Sequence, residues 1–173
     1  FRSSILPRVS VTSNGTINLK EQELTVLEAE LSKQYDKSRI KSFISAEVEA
    51  TITVENTGSA PINVMRLLDD VPGIFSPPSE SDVNIEIEGT DLTEEQYTIE
   101  VIDGIQLEER MISPDGNVFS LRITVGTSAP LGLQPGKKMI LSYPLRALDP
   151  SNSNNILAAP VRLDFGSEKF GPV

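Results

Sequence analysis

The chain has no cysteine, no histidine and no tryptophan among its 173 residues. Without cysteine there are no disulfides, no thiolate metal sites and no thiol nucleophile. Without histidine the usual general base near neutral pH is missing, along with the commonest transition-metal ligand, and no Ser-His-Asp arrangement can form. Aromatic residues make up only 5% of the chain, so stacking platforms for sugars or bases are scarce. Positive charge is also in short supply: 15 Lys and Arg stand against 25 Asp and Glu, a formal net charge of −10. That balance disfavours nucleic acid as a partner, because phosphate binding needs a basic face. No apolar run approaches the roughly 20 residues of a membrane-spanning helix. The first residue is Phe1 and no signal peptide opens the sequence, so the chain reads as a fragment or processed product of something longer.

What is present is alternation. Ala46, Val48, Ala50, Ile52 and Val54 occupy one face of a pleat and Glu47, Glu49, Thr51, Thr53 and Glu55 the other. The stretch "NTGSAP" then breaks the run with glycine and proline, and Ile62 and Val64 start again. Further strands are expected at Val83/Ile85/Ile87, Tyr97/Ile99/Val101, Phe119 to Val125, Met139 to Leu145 and Val161/Leu163/Phe165, separated by turn chemistry such as "LQPGKK". Val9 and Val11, then Ile17 and Leu19, flank Asn14-Gly15, a hairpin signal because Asn-Gly tolerates positive φ. Residues 20–41 are ambiguous: Leu24, Leu27, Leu31 and Tyr35 fit helical spacing, whereas Leu27, Ala29 and Leu31 alternate with Glu28 and Glu30. A strand over about 25–33 fits the rest of the chain. "DLTEEQ" reads as one helical turn capped by Thr93.

Strands with one apolar face belong to antiparallel sheets, and two such sheets bury each other. The expected fold is therefore all-β, an immunoglobulin-like antiparallel β-sandwich of about eight or nine strands with an N-terminal hairpin; a closed barrel is the alternative. The expected division is residues 1–23 as hairpin or extension and 24–173 as sandwich. Three stretches, "ATITVENTGSAPINV", "LLDDVPGIF" and "LQPGKKMILSYPLRA", resemble the immunoglobulin-like repeat of archaeal and bacterial surface proteins. That resemblance implies a structural role without catalytic residues.

Four sets of residues invite a functional reading. Asp69 and Asp70 are paired carboxylates near a strand end, candidates for Ca²⁺, which takes six to eight oxygens; a solvated strand end is the plainer expectation. Lys33, Lys37, Arg39 and Lys41 cluster in "KQYDKSRIK", and Lys137 and Lys138 follow Gly136. These cations form a candidate docking surface for an acidic partner, against the simpler view of solvated loops. Asn14-Gly15-Thr16 matches a glycosylation acceptor at a turn. Glu108 and Glu109 are sequence neighbours and would face opposite ways on a strand, unlike a hydrolase pair.

The expected function is a non-enzymatic structural or protein-interaction module, a spacer, assembly or adhesion domain of a larger protein at the cell surface. Its expected partner is a protein or neighbouring copies of itself, and no cofactor is expected; a calcium ion at Asp69 and Asp70 belongs to the alternative reading. Two rival readings are a calcium- or carbohydrate-binding accessory domain and a cytoplasmic, appendage-like sandwich recruiting peptides.

Overall fold

A computed structural model of the chain describes residues 9–11, 17–19, 24–40, 47–73, 75–103, 119–126, 131–147 and 159–170. Among the described residues twelve strands run in the order β1 (Val9–Val11), β2 (Ile17–Leu19), β3 (Ala29–Tyr35), β4 (Glu47–Asn56), β5 (Val64–Asp70), β6 (Phe75–Ser76), β7 (Asn84–Ile87), β8 (Thr90–Asp91), β9 (Tyr97–Asp103), β10 (Phe119–Val125), β11 (Lys138–Ala147) and β12 (Val161–Gly166). Among the described residues the only helical pieces are three short 3-10 turns, and no helix is long and apolar enough to cross a membrane.

The strands form two separate antiparallel sheets and a small hairpin, so the architecture is a sandwich and not a closed barrel. One sheet has the order β12-β5-β10-β9; the other runs β3-β4-β11-β7-β8, with β6 also pairing β11. β1 pairs β2 with Val9 opposite Leu19 and Val11 opposite Ile17, as the hairpin signal implied. Its tip at Asn14 lies outside the described residues.

The alternation seen in the sequence is the alternation of burial. Val48, Ala50, Ile52 and Val54 of β4 are fully buried, as are Leu121, Ile123 and Val125 of β10 and Met139, Leu141 and Leu145 of β11. Full burial of one such aliphatic side chain contributes about 1.5–3 kcal/mol, so these rows supply most of the cohesion between the sheets.

The ambiguous segment resolves as a strand that begins later than expected. Residues 24–28 do not join a sheet. Instead they run along the "NTGSAP" turn, where Thr57 and Gly58 donate to Glu28 O at 3.2 Å and Ser59 donates to Val26 O at 2.8 Å. A Cβ on Gly58 would sit 2.4 Å from Val26 O, so only glycine admits so close a backbone. Asn56, fully buried, organises the same turn: its Nδ2 donates to Ala60 O and Leu133 O at 2.8 Å, and its Oδ1 accepts from Gly58 N–H at 3.0 Å. The turn at "DLTEEQ" forms as expected over Glu94–Gln96, with Thr93 N–H donating to Gln96 Oε1 at 2.9 Å.

Candidate functional site: a polar cluster across the core

The pleat explains which polar side chains enter the core. On β3 the inward positions continue from Ala29 and Leu31 to Lys33 and Tyr35, all only partly exposed or less. On β5 the inward row is Met65, Leu67 and Asp69, and on β11 it is Met139, Leu141, Tyr143 and Leu145. Strand register then assembles them. Tyr35 lies opposite Ala50 on one side, and Tyr143 lies opposite Ala50 on the other. Between two tyrosines the small Ala50 side chain leaves room, and into this part of the core the facing sheet delivers Asp69.

The resulting contacts cross from one sheet to the other. The Lys33 ammonium donates to Asp69 Oδ1, and the Tyr143 hydroxyl donates to Asp69 Oδ2. Lys33 also donates to the Asp70 carbonyl at 3.0 Å, and its Nζ stands 5.3 Å from the Tyr35 ring centroid. The Lys33 side chain is 6% exposed and that of Asp69 is 0% exposed. Tyr35 supplies a buried hydroxyl with no hydrogen-bond partner among the described residues.

Electrostatics follow from this burial. Desolvation pushes the Asp69 carboxyl above its ordinary range; the Lys33 charge and the hydrogen bonds from Lys33 and Tyr143 pull it back without cancelling the rise. Tyr143 is pushed up chiefly by burial and then by the neighbouring Asp69 charge, and Tyr35 is pushed up by burial, then by Asp69 and Asp70. All three oxygen acids of the site are thus raised, with burial as the first cause for each.

Asp70 points the other way. As the next residue along the pleat it faces the outer side of its sheet, where its Oδ1 accepts from Ser120 Oγ at 2.6 Å. Both Asp69 and Asp70 are fully buried, which corrects the solvated strand end expected of them. Adjacent positions on a strand diverge, and each carboxylate is held by its own face. Both Asp69 oxygens and one Asp70 oxygen are already occupied within the chain, and among the described residues no group of three acidic side chains is arranged to hold a metal.

The cations expected to form one docking surface are dispersed. Lys33 is inside, because it falls on the inward parity of β3. Lys37 donates to Glu47 O at 2.5 Å at one end of β4, whereas Lys138 pairs with Glu55 Oε2 at 3.1 Å at the other end. Lys137 pairs with Glu88 at 3.4 Å. Arg39 is exposed, and Lys41 lies outside the described residues, as does Asn14. Tyr35 and Tyr143 are the members that sequence reading missed. Their signal was parity: a lysine and an aspartate on the core-facing rows of two strands require polar company.

Comparison with known proteins gives the fold a setting. No protein-family model matches the chain, and no curated protein matches it by sequence. Among solved structures the chain is similar to the pilus backbone protein RrgB from Streptococcus pneumoniae, at 13% identity and a TM-score of 0.51, over 80% of this chain and 32% of that one. A full-length structure of the same major pilin matches at 13% identity and a TM-score of 0.51, over 86% of this chain and 24% of that one. The chain thus spans about a quarter to a third of the length of these pilins. At such identity the likeness is one of fold alone, an all-β sandwich.

Proposed function

We propose that the chain is a non-catalytic structural module of a larger cell-surface protein, a sandwich that carries tension or spaces its neighbours. The observation that carries this reading is the clamp formed by Lys33, Asp69 and Tyr143. β3 is an edge strand of its sheet, and β5 is an inner strand of the other. A bond between them through the core resists peeling of the edge in a way that backbone pairing alone does not. The shared fold of the pneumococcal pilus backbone supports the same reading. The chemistry expected of the rival calcium-binding domain is poorly served, because Asp69 and Asp70 are engaged inside the fold.

Pulling the chain by its ends in a force spectrometer tests this. The double variant Lys33→Met/Asp69→Leu, with the clamp replaced by apolar groups, is expected to rupture at clearly lower force than the unaltered chain. Equal rupture forces would overturn the mechanical role. Protease treatment of intact cells should release peptides of this chain; their retention until lysis would overturn the surface location.

The clamp also favours a second reading, in which Lys33 and Asp69 are joined by an amide. The Lys33 amine and the Asp69 carboxyl touch in a dry core, burial favours the protonated acid, and the Tyr143 hydroxyl is placed to polarise the second oxygen. A neutral amine would add to the carboxyl carbon; the C–N bond forms, a C–O bond breaks, and water leaves with a proton from the nitrogen. No oxidant or cofactor is consumed. Intact-mass measurement of the purified chain should fall short of the sequence mass by one water, and Lys33→Arg should abolish the deficit. A full sequence mass in the unaltered chain would leave the clamp as an ion pair and remove this reading.

A further inference from the structure

The smaller sheet ends at β9, which pairs β10 on one side and no strand on the other among the described residues. Register decides which of its backbone groups are left over. Gly126 N–H donates to Gln96 O at 3.0 Å, and Tyr97 lies opposite Val125 in an antiparallel pair. In such a ladder every second residue exchanges hydrogen bonds with the residue opposite. Thr98 and Glu100 therefore bond to Thr124 and Arg122, while the N–H and C=O groups of Tyr97, Ile99 and Val101 point away from β10. Edges are usually blunted by proline, by lysine or by brevity. β9 has seven residues, YTIEVID, with neither proline nor lysine. By contrast β8, one edge of the larger sheet, has two residues, and β3, its other edge, turns Lys33 inward.

Beside this edge runs a groove of about 910 Å³, between β9 and the segment that leads into β7. Its floor is apolar: Val83 and Ile99 are buried and Tyr97 is partly buried. Val101 lies on the same face of β9 and is 44% exposed, so the apolar row continues past the end of its cover. The rim is acidic. Glu80, Glu94 and Glu100 line the groove, and no Lys or Arg among the described residues does. Glu100 pairs with Arg122 at 3.2 Å. Glu80 and Glu94 are exposed and have no ion pair among the described residues.

We propose that β9 binds an extended, basic segment of a partner protein as an added antiparallel strand of the smaller sheet. The segment's backbone completes the ladder at Tyr97, Ile99 and Val101. Side chains alternate across a strand, so its apolar residues lie over the Val83–Ile99 floor and beside Val101, and its intervening Lys or Arg residues reach the acidic rim. Strand addition draws affinity from main-chain bonds and specificity from the alternate side chains. Charge selects the partner. Three carboxylates around the groove, on a chain of net charge −10, attract a cationic segment and repel an acidic one. The same net charge opposes a second copy of the chain. This goes beyond the structural-module reading, since it names a partner chemistry and does not involve the clamp.

A fluorescent peptide of alternating Lys and Val, as long as β9, is the probe, titrated into the whole chain at low salt. It is expected to bind, and to bind more weakly as salt screens the exposed charges. Residues directly opposed across a sheet share a face, so the Val amides are the ones that meet β9. Methylating the Val nitrogens should weaken binding about tenfold or more, as the loss of hydrogen bonds demands; methylating the Lys nitrogens, which keeps the same charge, should weaken it far less. Bound peptide should slow exchange of the Ile99 and Val101 amides about tenfold and leave Thr98 and Glu100, already paired with β10, little changed. On the chain, Val101→Pro removes an outward donor without touching the bonds to β10 and should weaken the peptide as Val methylation does. Glu80→Lys/Glu94→Lys, at two exposed positions, should also weaken it and admit a peptide of alternating Glu and Val instead. Equal binding of the two methylated peptides, or binding that leaves Ile99 and Val101 unprotected, would overturn the proposal. So would self-association of the chain through this edge, seen in sedimentation and abolished by Val101→Pro, because the occupant would then be a second copy. None of these results touches the rupture force of the clamp, so the two readings fail separately.

Discussion

The two ends of the same core hold together by different physics. Toward one end, Val54, Met65, Leu67, Val125, Met139 and Leu141 are buried in an apolar layer to which Tyr97 and Phe165 also pack. Toward the other, the same rows bring Lys33, Tyr35, Asp69 and Tyr143 around Ala50. The apolar end is non-directional and indifferent to pH; it tolerates apolar side chains of matching volume. The polar end is directional. Its members stabilise the fold only as a complete set, since a buried charge that loses its partner costs more than the pair contributed.

The largest expected effect breaks the polar end. Lys33→Met removes the cation and strands the Asp69 carboxylate, at a cost of about 3–5 kcal/mol at neutral pH. Because burial already raises the Asp69 carboxyl, the stranded acid can take up a proton, and the cost should shrink as pH falls. Adding Asp69→Leu should recover most of the loss, since an apolar pair of similar volume needs no partner. Urea melts of both variants at neutral and acidic pH check this. A single-variant cost that is the same at both pH values would show that no buried charge was stranded.

Leu141→Ala is the matching break at the apolar end. Leu141 is fully buried opposite Ile52 and Ile85, so its truncation leaves a cavity costing about 2–5 kcal/mol. This cost should not vary between acid and neutral pH. A marked pH dependence would mean that the two ends are coupled, and the division drawn between them would fail.

Much of this division was legible in the sequence and part of it was not. The two-sheet fold followed from period-two alternation, and the burial of Val48, Ile52, Leu121 and Leu141 is that alternation made physical. Lys33 and Asp69 could have been placed inside by the same parity, but charge alone suggested solvent, and parity yields only when the partner is known. The partner sits on the opposite sheet, and the pairing of one sheet's face with another's is a tertiary fact with no local signature. The start of β3 was hidden for a related reason. The backbone of residues 24–28 is claimed by the turn at Asn56 to Ala60, some thirty residues away. The burial of Asp70 on the outer side of its sheet likewise lies beyond what alternation encodes.

The smallest expected effect sharpens the comparison from within the polar end. Tyr143→Phe keeps the ring and removes one donor to Asp69 Oδ2, which should cost about 1–3 kcal/mol at neutral pH. Its pH dependence is the more telling readout. The folded chain holds the Tyr143 proton above the ordinary tyrosine range, with burial as the main cause. The stability linked to this group is present in full below about pH 10, where the unfolded tyrosine is protonated too. Above that value the unfolded chain sheds a proton that the folded chain keeps, so stability is lost as pH rises toward the folded value. Tyr35 is raised in the same direction and adds to that alkaline loss. The Asp69 carboxyl, also raised, gives stability that is greatest below its unfolded value of 3.8 and declines as pH climbs through its folded one. Tyr143→Phe should therefore remove part of the alkaline loss, and Tyr35→Phe/Tyr143→Phe more of it, in thermal melts between pH 9 and about 11. If the double variant declines above pH 10 as steeply as the unaltered chain, the buried hydroxyls do not hold their protons against solvent, and the polar end is wetter than its geometry implies.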